Sequence, residues 1–172
     1  MGIIQNTNSF NIGIYGKRNV GKSTLMNRLL GKDISIVSEV SGTTSDPVYA
    51  ELEFMSLGAT VFIDTAGLDE GGELGHLKVK KSMDTLEEAD LAIYVMDIED
   101  MDFDSYENFL RKCEDYNTEN LLVINKIEGY IGKGLEIITQ CMEYAVFISA
   151  KNDIGIDKLK DFIVNIIKEE EI

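Results

Sequence analysis

Apolar positions along this chain fall into short runs separated by stretches of helical spacing. Phe10–Tyr15 reads as a first strand and runs straight into a glycine-bounded loop. Helical spacing follows through Leu25, Leu29 and Leu30 and stops at Gly31. Residues 48–54 (VYAELEF) alternate apolar and polar, as an edge strand with one wet face does. Thr60–Ile63, Leu91–Met96, Leu121–Ile124 and Ala145–Ile148 are short apolar runs of the kind buried on both faces of a parallel sheet. Helices are predicted over about 78–88, 103–116, 132–142 and 154–168. The last of these carries an apolar stripe of Ile156, Leu159, Ile163, Ile166 and Ile167. The alternation predicts a three-layer α/β/α domain with a mostly parallel six-stranded sheet and one antiparallel edge strand. With 172 residues the chain suits one domain: an extension over 1–9, a body over 10–168, and a frayed, acidic end over 169–172.

Composition narrows the chemistry. A formal net charge of −15 disfavours a nucleic-acid partner, since phosphate backbones are held by clustered Lys and Arg. The basic residues are scattered apart from Lys78-Val79-Lys80-Lys81, which reads as a solvated helix face. His76 is the sole histidine, so a Ser-His-Asp triad or a multi-histidine metal centre is not expected. Cys113 and Cys141 match no metal-ligand spacing and read as small hydrophobes on helices. No apolar run approaches membrane-spanning length, and the first residues carry neither a secretory signal nor a myristoylation motif. A cytoplasmic protein with no membrane partner is the expectation.

The loops are more specific. Gly16-Lys17-Arg18-Asn19-Val20-Gly21-Lys22-Ser23 matches the phosphate-binding pattern GxxxxGK[ST] in full, after a predicted strand and before a helix, with Thr24 following. Phosphate oxygens need many donors converging at short range. Gly16 and Gly21 are expected to let the backbone approach the anion without a Cβ clash. The loop amides and the positive end of the helix then face it. Lys22 supplies a point charge for the β- and γ-phosphates, and the Ser23 hydroxyl a ligand for Mg²⁺.

Asp64-Thr65-Ala66-Gly67 ends a buried strand. Asp64 is expected to hold Mg²⁺ through water and the Gly67 amide to sense the γ-phosphate. Thr43-Thr44 lies between the first helix and second strand, where Thr44 is placed to close over the metal. Asn125-Lys126-Ile127-Glu128 resembles the guanine-reading NKxD, with Glu128 one methylene longer than the usual Asp. Its carboxylate is expected to accept from guanine N1 and N2, a donor pair adenine lacks. Ser149-Ala150-Lys151 matches the loop that backs the base. A glutamine that orients water in Ras-type enzymes is replaced by Leu68. Asp69–Gly75 holds three glycines, which predict a mobile switch; Glu73 is the candidate general base there. Together these loops predict a Ras-like P-loop domain that hydrolyses GTP slowly unless assisted.

Asn19-Val20-Gly21-Lys22-Ser23-Thr24-Leu25-Met26-Asn27 and the double threonine resemble the TrmE–Era–Der group of translational GTPases. A narrower likeness is to the HydF family of FeFe-hydrogenase maturation GTPases. Gly42-Thr43-Thr44-Ser45-Asp46-Pro47-Val48-Tyr49, Asp64–Glu70 and Gly72-Glu73-Leu74-Gly75 carry it. That resemblance implies a scaffold whose GTP turnover regulates encounters with other maturation proteins. It also implies an isolated GTPase domain, monomeric alone, of a protein dimerised through another domain. Cys113 and Cys141 match no cluster ligand of that family. TrmE-like GTPases also hold a potassium ion beside the phosphates, which implies Asn19, with Ser38, Val40 and Thr43 completing the site. Two rival readings stay open: a tRNA-modification or ribosome-assembly GTPase domain, and a nucleotide-gated interaction module with negligible turnover. A P-loop ATPase ranks lower because of Asn125-Lys126 and Ser149-Ala150-Lys151.

Overall fold

The computed structural model describes residues 9–31, 35–38, 48–65 and 85–170. Seven strands form one sheet: β1 (Phe10–Tyr15), β2 (Ser35–Ser38), β3 (Val48–Glu53), β4 (Ala59–Asp64), β5 (Leu91–Asp97), β6 (Glu119–Asn125) and β7 (Ala145–Phe147). Their order across the sheet is β2-β3-β4-β1-β5-β6-β7. From β4 to β7 all neighbours run parallel, whereas β3 is antiparallel to β4 and to β2. The described helices are α1 (Lys22–Leu30), α2 (Phe103–Asp115), α3 (Leu135–Cys141) and α4 (Ile156–Glu170).

The Ras-like α/β fold is therefore as the sequence predicts, with two corrections to the sheet. It has seven strands rather than six, because Ser35–Ser38 pairs with β3. In consequence the antiparallel strand is second from the margin and not the edge itself. Four residues with two apolar side chains carry almost no periodic signal, so this strand exists by virtue of its neighbour's open edge. The last helix continues to Glu170, past the expected end at residue 168. Of the helix expected over 78–88, only a single 3₁₀ turn at Thr85–Glu87 falls among the described residues.

Alternation along the central strands builds the two outer layers. On β5, Leu91, Ile93 and Val95 join the core beneath α1 and α4, while Ala92, Tyr94 and Met96 join that beneath α2. β6 divides likewise, Leu121 and Val123 to the first side and Leu122 and Ile124 to the second. Tyr94 and Tyr15 lie with ring centroids 4.8 and 5.4 Å from Phe109 of α2, which closes the second side with aromatic contacts. Cys113 is buried there as expected, but Cys141 at the end of α3 is exposed. No described helix is long and apolar enough to cross a membrane.

β1 lies between β4 and β5, so successive crossovers leave it in opposite directions. In open α/β sheets the crevice at the carboxyl ends of strands around such a reversal is the place where ligands bind. Four of the sequence-predicted loops leave the sheet at this end, after β1, β4, β6 and β7.

Candidate nucleotide-binding site

The loop after β1 closes on its own lysine. Lys22 is only 8% exposed, and its Nζ donates to the Gly16 carbonyl at 2.9 Å and the Lys17 carbonyl at 2.7 Å. α1 begins at Lys22 without a side-chain cap and without an acidic residue in its first turn. Its first amides therefore have no capping side chain and no acidic residue of their own turn to compete with an incoming anion. Ser23 and Thr24 are exposed at this start.

The protein's own packing also requires glycine at both loop positions. A Cβ on Gly16, at φ 145°, would stand 2.4 Å from the Val95 carbonyl. A Cβ on Gly21, at φ 96°, would stand 2.4 Å from the Asn125 amide nitrogen. Both clashes are with the protein, so these positions are fixed by packing against β5 and the end of β6 before any ligand arrives.

Asp64 ends β4 beside the helix start, and Ser23 Oγ donates to its Oδ2 at 3.1 Å. Burial raises the Asp64 carboxyl above the usual carboxylate range, with the Ser23 hydrogen bond and the Lys22 charge pulling the other way. Thr65 locks the strand end by donating from Oγ1 to the Ile14 carbonyl at 2.6 Å. A hydroxyl and one carboxylate are what a protein ordinarily contributes to Mg²⁺, the nucleotide and water supplying the rest. Ser23 and Asp64 thus fit the metal, which would offset phosphate charge when bound with nucleotide.

Asn125 is almost wholly buried, and both ends of its amide are engaged. Its Nδ2 donates to the Val20 carbonyl at 2.9 Å, and its Oδ1 accepts from the Ala150 amide at 3.0 Å. It is a clasp between the phosphate loop and the loop after β7. Lys126 takes up φ 68° and Asn19 φ 62°, conformations uncommon outside glycine. The Lys126 ammonium donates to the Asn19 carbonyl and pairs with Asp97 at 3.1 Å. Two strained residues from distant segments are thereby tied together, a pattern that concentrates at functional sites.

Glu128 sits in a 3₁₀ turn after β6, and its Oε2 is buried with no hydrogen-bond partner among the described residues. Leaving a buried acceptor unpaired costs on the order of 1–3 kcal/mol. A donor-bearing base edge would recover that cost, so this orphaned oxygen fits guanine at the position the NKxD-like motif suggests. Ser149 is fully buried and Ala150 likewise, with Ser149 Oγ accepting from the Asn152 amide at 3.2 Å; Lys151 is exposed.

Several contacts here carry no sequence signal. Lys17 pairs with Asp102 at 3.0 Å and lies 3.6 Å from Asp100. Asp102 caps α2 by accepting from the Ser105 amide, and that bond, with Lys17, holds its carboxyl down at about 2. Arg28 of α1 reaches the carbonyls of Ala150 and Lys151. The Asp102 cap is a local signal that a helix start can show in sequence. No periodic or motif argument selects the contacts of Lys17 and Arg28, because their partners are distant in sequence.

Val40, Thr43, Thr44, Gly67 and Glu73 lie outside the described residues. Ser38 ends β2, paired in register with Tyr49. Hydrogen bonds join Gly16 and Lys17 to Lys22, Ser23 to Asp64, Val20 and Ala150 to Asn125, and Asn19 to Lys126.

Comparison with known proteins agrees with this geometry. A family profile described as 50S ribosome-binding GTPase matches residues 11–126. GTPase Era of Heliobacterium modesticaldum is 34% identical over 159 residues, spanning 88% of this chain and 53% of that protein. The tRNA modification GTPase MnmE of Cytophaga hutchinsonii is 36% identical over 160 residues, spanning 91% of this chain and 34% of that protein. Among solved structures, a variant of Era from Aquifex aeolicus bound to GDP·AlF4⁻ superposes with a TM-score of 0.68 at 32% identity. It covers 90% of this chain and 56% of its own. The chain thus spans about half or less of the length of these relatives.

Proposed function

The chain belongs to the 50S ribosome-binding GTPase family, and from that premise we propose that it hydrolyses GTP with Mg²⁺ at this site to switch the contacts of a hydrogenase-maturation scaffold. Binding and hydrolysis of GTP follow from membership. The observation that carries the catalytic assignment is the Ser23–Asp64 hydrogen bond at the start of an uncapped helix holding a buried Lys22. Lys22 and the loop amides bind the phosphates, Ser23, Thr44 and Asp64 hold the metal, and the Gly67 amide senses the γ-phosphate. Glu73 is the candidate base, and Glu128 reads the guanine edge with Ser149-Ala150-Lys151 behind it.

The maturation role rests on the strings from Gly42 to Tyr49 and from Asp64 to Gly75, which resemble HydF, and on a net charge of −15 that repels polyanions. The names of the relatives favour a second reading, a domain serving tRNA modification or ribosome assembly. A domain exchange separates the two. Substituted for the GTPase domain of a HydF protein, this chain should restore FeFe-hydrogenase maturation in a deficient strain. Failure there, together with rescue of tRNA modification when it replaces the GTPase domain of MnmE, would install the second reading.

Potassium completes the proposal. Leu68 offers no water-orienting group, and a charge supplied beside the phosphates is worth on the order of 10³–10⁵ in rate. Asn19 is exposed on the phosphate loop with its carbonyl already held by Lys126, and its side chain is the proposed potassium ligand together with Ser38, Val40 and Thr43. Hydrolysis should be faster in KCl than in equimolar NaCl, and Asn19→Ala should abolish the difference. Equal rates in the two salts would remove potassium from the account.

A further inference from the structure

Arg28 stands on the helix that carries Lys22 and Ser23. Its Nε donates to the Ala150 carbonyl at 2.7 Å and its Nη2 to the Lys151 carbonyl at 2.8 Å. A guanidinium presents its donors in a rigid planar fork, so two consecutive carbonyls fix both the distance and the tilt of the segment that bears them. From the opposite side the Ala150 amide donates to Asn125, which in turn grips Val20. Val20, Asn125, Ala150 and Arg28 therefore close a circuit that returns through α1 to the phosphate loop. The loop Ser149-Ala150-Lys151 is held at one residue from both sides, once by its amide and once by its carbonyl.

We propose that Arg28 is a positioning residue for base selection: it fixes the Ser149–Lys151 loop to the helix that binds phosphate, so that guanine is discriminated in register with the triphosphate. The inference rests on the guanine reading of Glu128 and extends it to a residue no motif includes. Arg28 also lies in the last turn of α1, where any cation interacts favourably with the helix dipole. Lysine at this position keeps that charge but cannot offer the planar fork, which separates positioning from mere stabilisation.

GTP, ATP and inorganic tripolyphosphate, each with Mg²⁺, should be competed against labelled GDP on the parent, Arg28→Lys and Arg28→Gln, with thermal melts of all three. The parent should prefer GTP to ATP. Arg28→Lys should stay folded, melting within a few degrees of the parent, yet lose about tenfold in GTP affinity, because a loop released from Arg28 must be ordered again on binding. ATP and tripolyphosphate should bind as before, so the GTP-to-ATP ratio falls. Arg28→Gln should show the same loss of selectivity, whatever its melting temperature. An unchanged ratio in folded Arg28→Lys, or an equal loss for tripolyphosphate, would overturn the proposal. A parent that binds ATP as well as GTP would instead overturn the guanine reading, and this inference with it.

Discussion

The phosphate end and the base end of this site are built on opposite plans. The phosphate end is local: Gly16 through Ser23 are consecutive, and Lys22 bonds back to carbonyls only five and six residues earlier. The base end is assembled from three segments, joined by Asn125 across 105 residues to Val20 and by Arg28 across 122 to Ala150. The bonds of Lys22 need only their own strand and helix, although Asn125 and Lys126 still tie the middle of that loop to the end of β6. A composite site is organised only when the whole sheet has formed: the last loop closes on itself between Ser149 and Ile154, but its place against the other segments depends on the long-range bonds of Asn125 and Arg28. The phosphate end should therefore fail for every nucleotide when damaged, and the base end only for guanine.

Lys22→Ala attacks the first half and has the largest expected effect. Removing a buried ammonium that faces phosphate should cost about 2–5 kcal/mol of binding. GTP, GDP and ATP should all suffer, with far-ultraviolet circular dichroism unchanged. Titration calorimetry checks it, and parental GTP affinity in the variant would end the phosphate-loop assignment.

Glu128→Ala attacks the second half. It deletes the orphaned oxygen and the guanine partner together, so GTP and GDP should weaken by about 1–3 kcal/mol while ATP binding stays put. The unliganded variant should be no less stable than the parent, because an unpaired buried acceptor has been removed. An equal loss for ATP would show that the two halves are not separable in this way.

The smallest effect lies away from both ends and tests the core beneath α2. Burial pushes the Cys113 thiol up to about 12, against roughly 8.5 for a free thiol. The folded state thus keeps a proton that the unfolded chain releases. The contribution of this group to stability is full below about pH 8.5 and declines as pH rises toward 12. At pH 8, a maleimide should label exposed Cys141 readily and Cys113 only in denaturant. Equal labelling in the native protein would contradict the packing of α2.

How far each part is legible follows from the range of the forces behind it. β1 matches its predicted limits because an apolar run ended by a glycine loop is a purely local signal. β2 escapes notice because its pairing with β3, and not its own pattern, makes it a strand. Asn125 is visible as part of a motif, but its role as a clasp is not, since both of its partners are backbone atoms of distant loops. Arg28 is invisible altogether: on a helix surface an arginine is indistinguishable from any solvated charge.

The sequence alone determined the layered α/β fold, the phosphate loop with Lys22 and Ser23, and the order of the loops that follow. Those are written in residue spacing, which neighbours along the chain enforce. Only the tertiary structure decided why Gly16 and Gly21 must be glycine, where the antiparallel strand sits, and what holds the base loop in place. Val95, Asn125 and Arg28 act there across gaps that close only when the sheet forms, because a hydrogen bond or a Cβ clash depends on ångström distances that spacing along the chain does not encode.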